Sequence, residues 1–201
     1  MNTEMKDIME QKRFVLHHIL YEMQMYVALN NFIQSVKFKD DDRIEKNAVL
    51  ESYLVHLRNL IYFFSKRKNE RYPDDIHFDD VIEGIDDLDV SDIITVKKAK
   101  GEKETFSAKR LVNQSVEHIK RIKFDEEAAE KTLELCKQMS VTLPKAIQRF
   151  VEALDTNLKK ESQDKLESDL KRKDIQEIIT LIKEELNAGA KPKKKTASEE
   201  V

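Results

Sequence analysis

Residues 47–65, NAVLESYLVHLRNLIYFFS, decide the fold of this chain, because they carry its strongest helical apolar stripe. The apolar residues recur at alternating spacings of four and three, which is the period of one helical face. The members of the stripe are Leu50, Leu54, Leu57, Ile61 and Phe64. Upstream, Asp42 and Glu45 form a D-x-x-E capping pattern, which predicts a helix start near Arg43. We therefore expect a deeply buried central helix, around which the other helices pack.

The central helix carries four polar side chains that a plain core helix would not need: Glu51, His56, Arg58 and Asn59. At 100° per residue, Arg58 lies about 200° round the helix from His56, so the two side chains point to nearly opposite sides. Arg58 shares its side with Glu51 and Tyr62, and His56 shares the other side with Asn59. Any chemistry on this helix therefore needs a second helix or a second subunit. The structural alternative is that these groups are simply hydrogen-bonded to neighbouring helices.

Composition favours an all-α fold, since 201 residues include only three Gly and three Pro, and 37% are charged. No strand pair with a turn signal is evident. We predict an antiparallel helical bundle of five to six helices, with an acidic loop and a C-terminal amphipathic helix. The single cysteine, Cys136, excludes a disulfide framework and a Cys-rich zinc site, and no metal or cofactor is expected. Without a charged-then-apolar leader or an apolar run of about 18 residues, a cytoplasmic location and no membrane partner are expected.

Apolar periodicity and composition divide the chain into a helical bundle domain at 1–160, a C-terminal helical extension at 161–187 and a disordered tail at 188–201. A long first helix over residues 3–37 should pair with the central helix as an antiparallel hairpin. Asp125 predicts a capped helix over 126–139, and Pro144 predicts the start of a separate helix. A second D-x-x-E pattern at 174–177 predicts the last amphipathic helix, which could dock on the bundle or bind a partner.

Two neighbouring segments carry opposite charge. Residues 70–92 hold ten acidic residues and one basic residue, without the regular spacing of a calcium loop, so we expect a solvated loop with a short helix around 81–84. Residues 97–123 hold nine basic residues and three acidic ones, with a turn around Gly101 and a helix from about Ser107. Lys and Arg on one face can contact phosphates. The candidate binding residues are Lys109, Arg110, Lys120 and Arg121, together with Glu51 and Tyr62 of the central helix.

The run ESYLVHLRNLIYFF, residues 51–64, resembles the motif helix of uncharacterised bacterial helical proteins and, more distantly, the HEPN superfamily of nucleotide-binding domains. The resemblance implies a metal-independent RNA-cleaving pair at a dimer interface, made by an Arg, a polar residue and a His four to six residues later. Arg58 and Asn59 match the first half of that motif. Phe63, Phe64 and Ser65 occupy the places of the His, so the resemblance also fits a degenerate, non-cleaving member.

His118 is the preferred partner for the central helix, because it lies at the margin of the inward face of the helix that begins near Ser107. The phrase N-x-x-x-x-H at residues 113–118 resembles one that follows the motif helix in the same bacterial proteins. A structural histidine with satisfied hydrogen bonds is the alternative. Cys136, on an apolar helix face, is expected to be a small core residue rather than a nucleophile.

The expected function is that of a non-catalytic helical binding or regulatory protein, HEPN-like and self-associating. The sequence has no Gly-rich phosphate loop, no paired zinc ligands and no nucleophile elbow. The alternative is a metal-independent HEPN-type ribonuclease of a toxin or phage-defence setting, with a composite site of Arg58, Asn59 and either His118 or His56. A scaffold that displays its C-terminal helix is a third interpretation. The expected partners are RNA and a second copy or partner protein bound through the C-terminal helix.

Overall fold

The protein is an α-helical bundle with one small β-hairpin. The computed structural model describes residues 3–36, 43–65, 78–82, 90, 93–97, 103–120, 126–161 and 169–190. The elements are α1 (Thr3–Ser35), α2 (Arg43–Phe64), α3 (Phe78–Val81), β1 (Ile93–Lys97), β2 (Lys103–Ser107), α4 (Ala108–Lys120), α5 (Glu126–Glu161) and α6 (Asp169–Ala190). The predicted all-α class is therefore confirmed. None of these helices combines the length and the apolar character needed to cross a membrane.

Helix α2 lies at the centre of the core, as its apolar stripe predicts. Its stripe residues Leu54, Leu57 and Ile61 are fully buried. On α1, Glu22 meets His56 of α2 and Tyr26 stacks on Tyr53, with ring centroids 5.3 Å apart. Residue numbers rise along α1 as they fall along α2, so the two helices form the predicted antiparallel hairpin.

The hairpin of β1 and β2 was not predicted from the sequence. The strands pair antiparallel from Ile93 with Ser107 to Lys97 with Lys103, and the predicted turn around Gly101 lies outside the described residues. The β-branched run of β1 favours a strand, and the expectation that no strand pair is present is wrong. Helix α5 supports the hairpin through Gln138, whose Oε1 accepts from the Thr95 N–H at 3.3 Å and whose Nε2 donates to the Thr95 carbonyl at 2.7 Å.

Helix α5 is continuous through Pro144, so the prediction of a separate helix starting there is wrong. An interior proline removes one backbone hydrogen bond and costs about 3 kcal/mol or more. The apolar stripe nevertheless continues in phase across it, and buried residues on both sides anchor the helix. They are Leu135, Met139, Leu143, Ile147 and Phe150. Packing of this stripe on the core offsets the local cost; the stripe includes Leu135, whereas Leu133 is exposed.

Helix α6 docks on α1 and α5 of its own chain. It begins five residues before the predicted start at Asp174 and extends to Ala190, three residues into the range assigned to the tail. The Nδ2 of Asn31 on α1 donates to the Glu185 carbonyl at 2.8 Å, and Lys183 pairs with Asp155 of α5 at 2.7 Å. Its apolar residues Ile175, Ile179 and Ile182 are buried. The apolar face expected to bind a partner is therefore occupied within the chain.

Candidate functional site

The most unusual group in the core is the carboxylate of Glu22 on α1. The Nδ1 of His56 lies 2.7 Å from Glu22 Oε2, and both side chains are almost completely buried. His18, one turn earlier on α1, places Nε2 3.5 Å from the other carboxylate oxygen. Asn59, one turn after His56 on α2, also hydrogen-bonds this carboxylate. Tyr21 closes the group, with its ring set edge-on to the imidazole of His56 at 5.9 Å. We call these five residues the Glu22 cluster.

The electrostatics of the Glu22 cluster keep the carboxylate ionised. Burial alone would raise the pKa of Glu22, because water stabilises the charged form. The hydrogen bonds from His56 and Asn59, with the nearby histidine charges, outweigh burial and hold this pKa below its ordinary value. An ionised carboxylate can only accept hydrogen bonds, so His56 donates its Nδ1–H to Glu22. The bond fixes the orientation of the imidazole.

A histidine oriented by a carboxylate can serve as a general base in enzymes, but only if its second nitrogen reaches a substrate. His56 is buried against α1, and Arg58 lies on the opposite side of α2, as the 200° separation predicts. Arg58 is half-buried and forms no hydrogen bond or ion pair with any residue the structure describes. Arg58 and Asn59, the two residues that match the first half of the HEPN motif, therefore face different sides of α2.

The other predicted catalytic residue, His118, occupies α4, but its side chain lies outside the described part of the structure. The same holds for the side chain of Lys120, and Arg121 lies beyond the described end of α4. Glu51 is half-buried, and like Arg58 it forms no ion pair with a described residue. Within the residues that the structure describes, no three side chains of His, Cys, Asp or Glu are grouped as metal ligands would be.

A second polar group lies where α2 meets α4. The Nδ2 of Asn113 donates to the Tyr62 hydroxyl at 3.0 Å, and Lys109 places Nζ 4.9 Å from the centroid of the same ring. Arg58 lies one turn before Tyr62 on the same side of α2. Arg110, the residue after Lys109 on α4, has an exposed side chain. We call Arg58, Tyr62, Lys109 and Asn113 the Tyr62 cluster. It combines an aromatic ring, cations and an amide at the surface.

The start of α4 is set by a cap that also positions this second cluster. The Arg110 N–H donates to Ser107 Oγ at 3.2 Å, so Ser107 is the N-cap residue, as the predicted helix start requires. The cap fixes Lys109 in the first turn, directly over Tyr62. Deeper in α4, the Ser115 hydroxyl meets Thr132 of α5 at 2.7 Å and ties the two helices together.

Cys136 is expected to be unreactive in the folded protein. Burial raises the pKa of its thiol to about 12, so almost no thiolate, the nucleophilic form, exists at neutral pH. We expect native protein at pH 8 to react with Ellman's reagent at least about 100-fold more slowly than protein unfolded in guanidinium, since an unperturbed thiol has a pKa near 8.5. Equal rates in the two states would contradict a structural role for Cys136.

Glu22 is the buried charged residue that the sequence patterns did not single out. Ile19, Met23 and Tyr26 form the buried stripe of α1, and Glu22 falls within that stripe at helical spacing. A carboxylate inside an otherwise apolar stripe is the signal that could have identified it.

Comparisons of the chain with models of protein families, with curated protein sequences and with solved structures find no match.

Proposed function

We propose that this chain is a non-catalytic helical binding protein, a degenerate member of the HEPN type, that works as a self-associated assembly and holds RNA on the Tyr62 cluster. The observation that carries the proposal is the buried bond between Glu22 and His56. That bond commits the histidine of the motif helix to joining α1 to α2. It also holds the imidazole on the side of α2 opposite Arg58.

The ribonuclease alternative requires Arg and His to act on one phosphodiester. A general base must lie within about 2.6–3.2 Å of the proton it removes, or one water away. His56 and Arg58 lie on opposite sides of α2, so one phosphodiester cannot meet both within a single chain. This separation excludes His56 as the partner of Arg58 within one chain, so the ribonuclease alternative then requires His118 or a residue of a second copy.

The Tyr62 cluster suits an anionic partner that also has flat rings. Lysine and arginine attract phosphates in a salt-dependent way, and an aromatic ring stacks on bases without regard to sequence. Asn113 and Lys109 hold the Tyr62 ring, so its orientation is already set before a ligand arrives, and a base stacks on the ring face opposite Lys109. A single-stranded RNA is the simplest molecule with both properties.

The test is binding and integrity of a labelled single-stranded RNA, without metal, at low and moderate salt. We expect salt-dependent binding with the RNA intact, and about a tenfold weaker affinity for Arg58→Ala and Tyr62→Ala, since base stacking contributes about 1–3 kcal/mol. Lys145→Ala, which removes an exposed charge from α5, is the matched control and should bind like the wild type. Cleavage by the wild type that Arg58→Ala abolishes would replace the proposal with the ribonuclease alternative. Equal affinity of all four proteins would remove RNA binding from the Tyr62 cluster.

A further inference from the structure

The outer face of α1 is unusual over residues 14–36, because it carries no Asp, Glu, Lys or Arg side chain. Residues 14–36, FVLHHILYEMQMYVALNNFIQSV, contain a single residue of the Asp, Glu, Lys and Arg group, in a chain of which 37% is charged. That residue is Glu22, which is buried in the core. A solvated protein surface has charges on about 25–35% of its residues. The outer face of α1 therefore lacks the composition of a surface that stays in water.

The side chains on this face follow a coiled-coil spacing. They recur at alternating intervals of four and three residues, which is the spacing of a and d positions. The members are Phe14, His18, Tyr21, Met25, Ala28 and Phe32, which we call the α1 seam. Phe14 is 77% exposed, Tyr21 48% and Phe32 43%. The seam lies opposite Met23, whose side chain is fully buried in the core, and it spans about 27 Å of helix at 1.5 Å per residue.

The seam is complementary to itself when two copies lie antiparallel. Reversing the helix about Met23 places Phe14 opposite Phe32, Tyr21 opposite Met25, and His18 opposite Ala28. Aromatic residues then meet each other at both ends, and the larger His18 faces the small Ala28. The two faces are also compatible in charge, since neither seam contains an Asp, Glu, Lys or Arg side chain. A two-fold axis makes the contact identical for both copies.

We propose that a second copy of this chain docks along the α1 seam as an antiparallel helix pair. The inference rests on the self-association in the proposed function and supplies its surface. Tyr21, which contacts His56, passes from half-exposed to buried in the pair, so the dimer contact lies directly over the Glu22 cluster. The dimer therefore shields the buried carboxylate from solvent.

The first test is mass by light scattering over a wide range of protein concentration. We expect a concentration-dependent dimer for the full chain and a monomer for Phe14→Glu and Ala28→Glu. The thermal stability of both variants should match that of the wild type at a dilution where the wild type is monomeric. Val141→Glu alters an exposed apolar residue of α5 and should leave the dimer intact. A dimer that Val141→Glu disrupts and Phe14→Glu preserves would overturn the seam while self-association stands. A monomer at every concentration would overturn self-association itself, independently of the RNA measurement.

The second test distinguishes the direction of the helices. In a Cys136→Ser background, we expect oxidation to cross-link a mixture of His18→Cys and Ala28→Cys proteins. Neither variant alone should cross-link, because residue 18 lies ten residues, or about 15 Å along the helix, from its own copy in the antiparallel pair. A disulfide needs Cα atoms within about 7 Å. Cross-linking of either variant with itself would overturn the antiparallel arrangement.

Discussion

Replacing His56 with Ala is expected to lower the free energy of unfolding by about 3–5 kcal/mol, because it leaves the ionised Glu22 buried without its principal donor. Urea denaturation followed by circular dichroism measures the change. His18→Ala is the matched control, since His18 also contacts Glu22 but is 59% exposed. Exposed ion pairs contribute about 0–1 kcal/mol, so the control should be close to the wild type. Similar losses for both variants would contradict the buried bond.

A double-mutant cycle separates the coupling free energy between Glu22 and His56 from the contribution of each side chain alone. Glu22→Leu alone leaves the His56 Nδ1–H buried without an acceptor, and His56→Leu alone leaves the carboxylate. Replacing both removes the unpaired groups together, so the double variant should be more stable than His56→Leu. Replacement of buried ion pairs by apolar side chains of similar volume is often neutral or stabilising. Strictly additive losses would show that the two side chains are not coupled.

The stability that Glu22 contributes should fall as the pH is lowered. The pKa of Glu22 in the folded protein lies below its ordinary value of 4.5, so folding favours the ionised form. Its contribution to stability is complete above the unfolded value and is lost as the pH falls through the folded value. The stability difference between the wild type and Glu22→Gln should therefore shrink as the pH falls below 4.5. A difference that grows on acidification would have the wrong sign.

Phe64→Ala is expected to cost about 3–5 kcal/mol, the usual range for a buried phenylalanine replaced by alanine. Phe64 has no exposed surface and its ring lies 5.0 Å from Phe63, 5.9 Å from Phe150 and 6.4 Å from Phe78. Its removal leaves a cavity where α2, α3 and α5 meet. The backbone carbonyl of Phe64 still accepts from the Val90 N–H at 3.1 Å, so the measured loss reports the side chain.

Phe14→Ala provides the matched control for this substitution. Phe14 is mostly exposed, so at a concentration where the protein is monomeric its replacement should change stability by no more than about 0.5 kcal/mol. Both variants are measured by urea denaturation under the same conditions. A loss below about 1 kcal/mol for Phe64→Ala would mean that the aromatic contacts around it are not formed, since even partial collapse leaves the transfer cost of the ring.

The sequence predicts α2 well because helical periodicity fixes both which residues face the core and how far apart two side chains point. The separation of His56 and Arg58 follows from the helix alone. The partner of His56 does not, because the rotation and register of α1 against α2 depend on tertiary packing. Pro144 shows the same limit, since local propensity favours a break and only packing of the whole stripe overrides it. The roles proposed for His118, Lys120 and Arg121 remain predictions.

The side chain of Gln138, on helix α5, hydrogen-bonds the backbone of strand β1. In an antiparallel pair, the N–H and C=O of one residue point together, either at the partner strand or away from it. Both groups of Thr95 meet the Gln138 amide, so they face away from β2. An open sheet edge is a template for the strand of another molecule. At the midpoint of β1 a glutamine side chain already occupies that edge, which hinders the addition of a strand from another molecule.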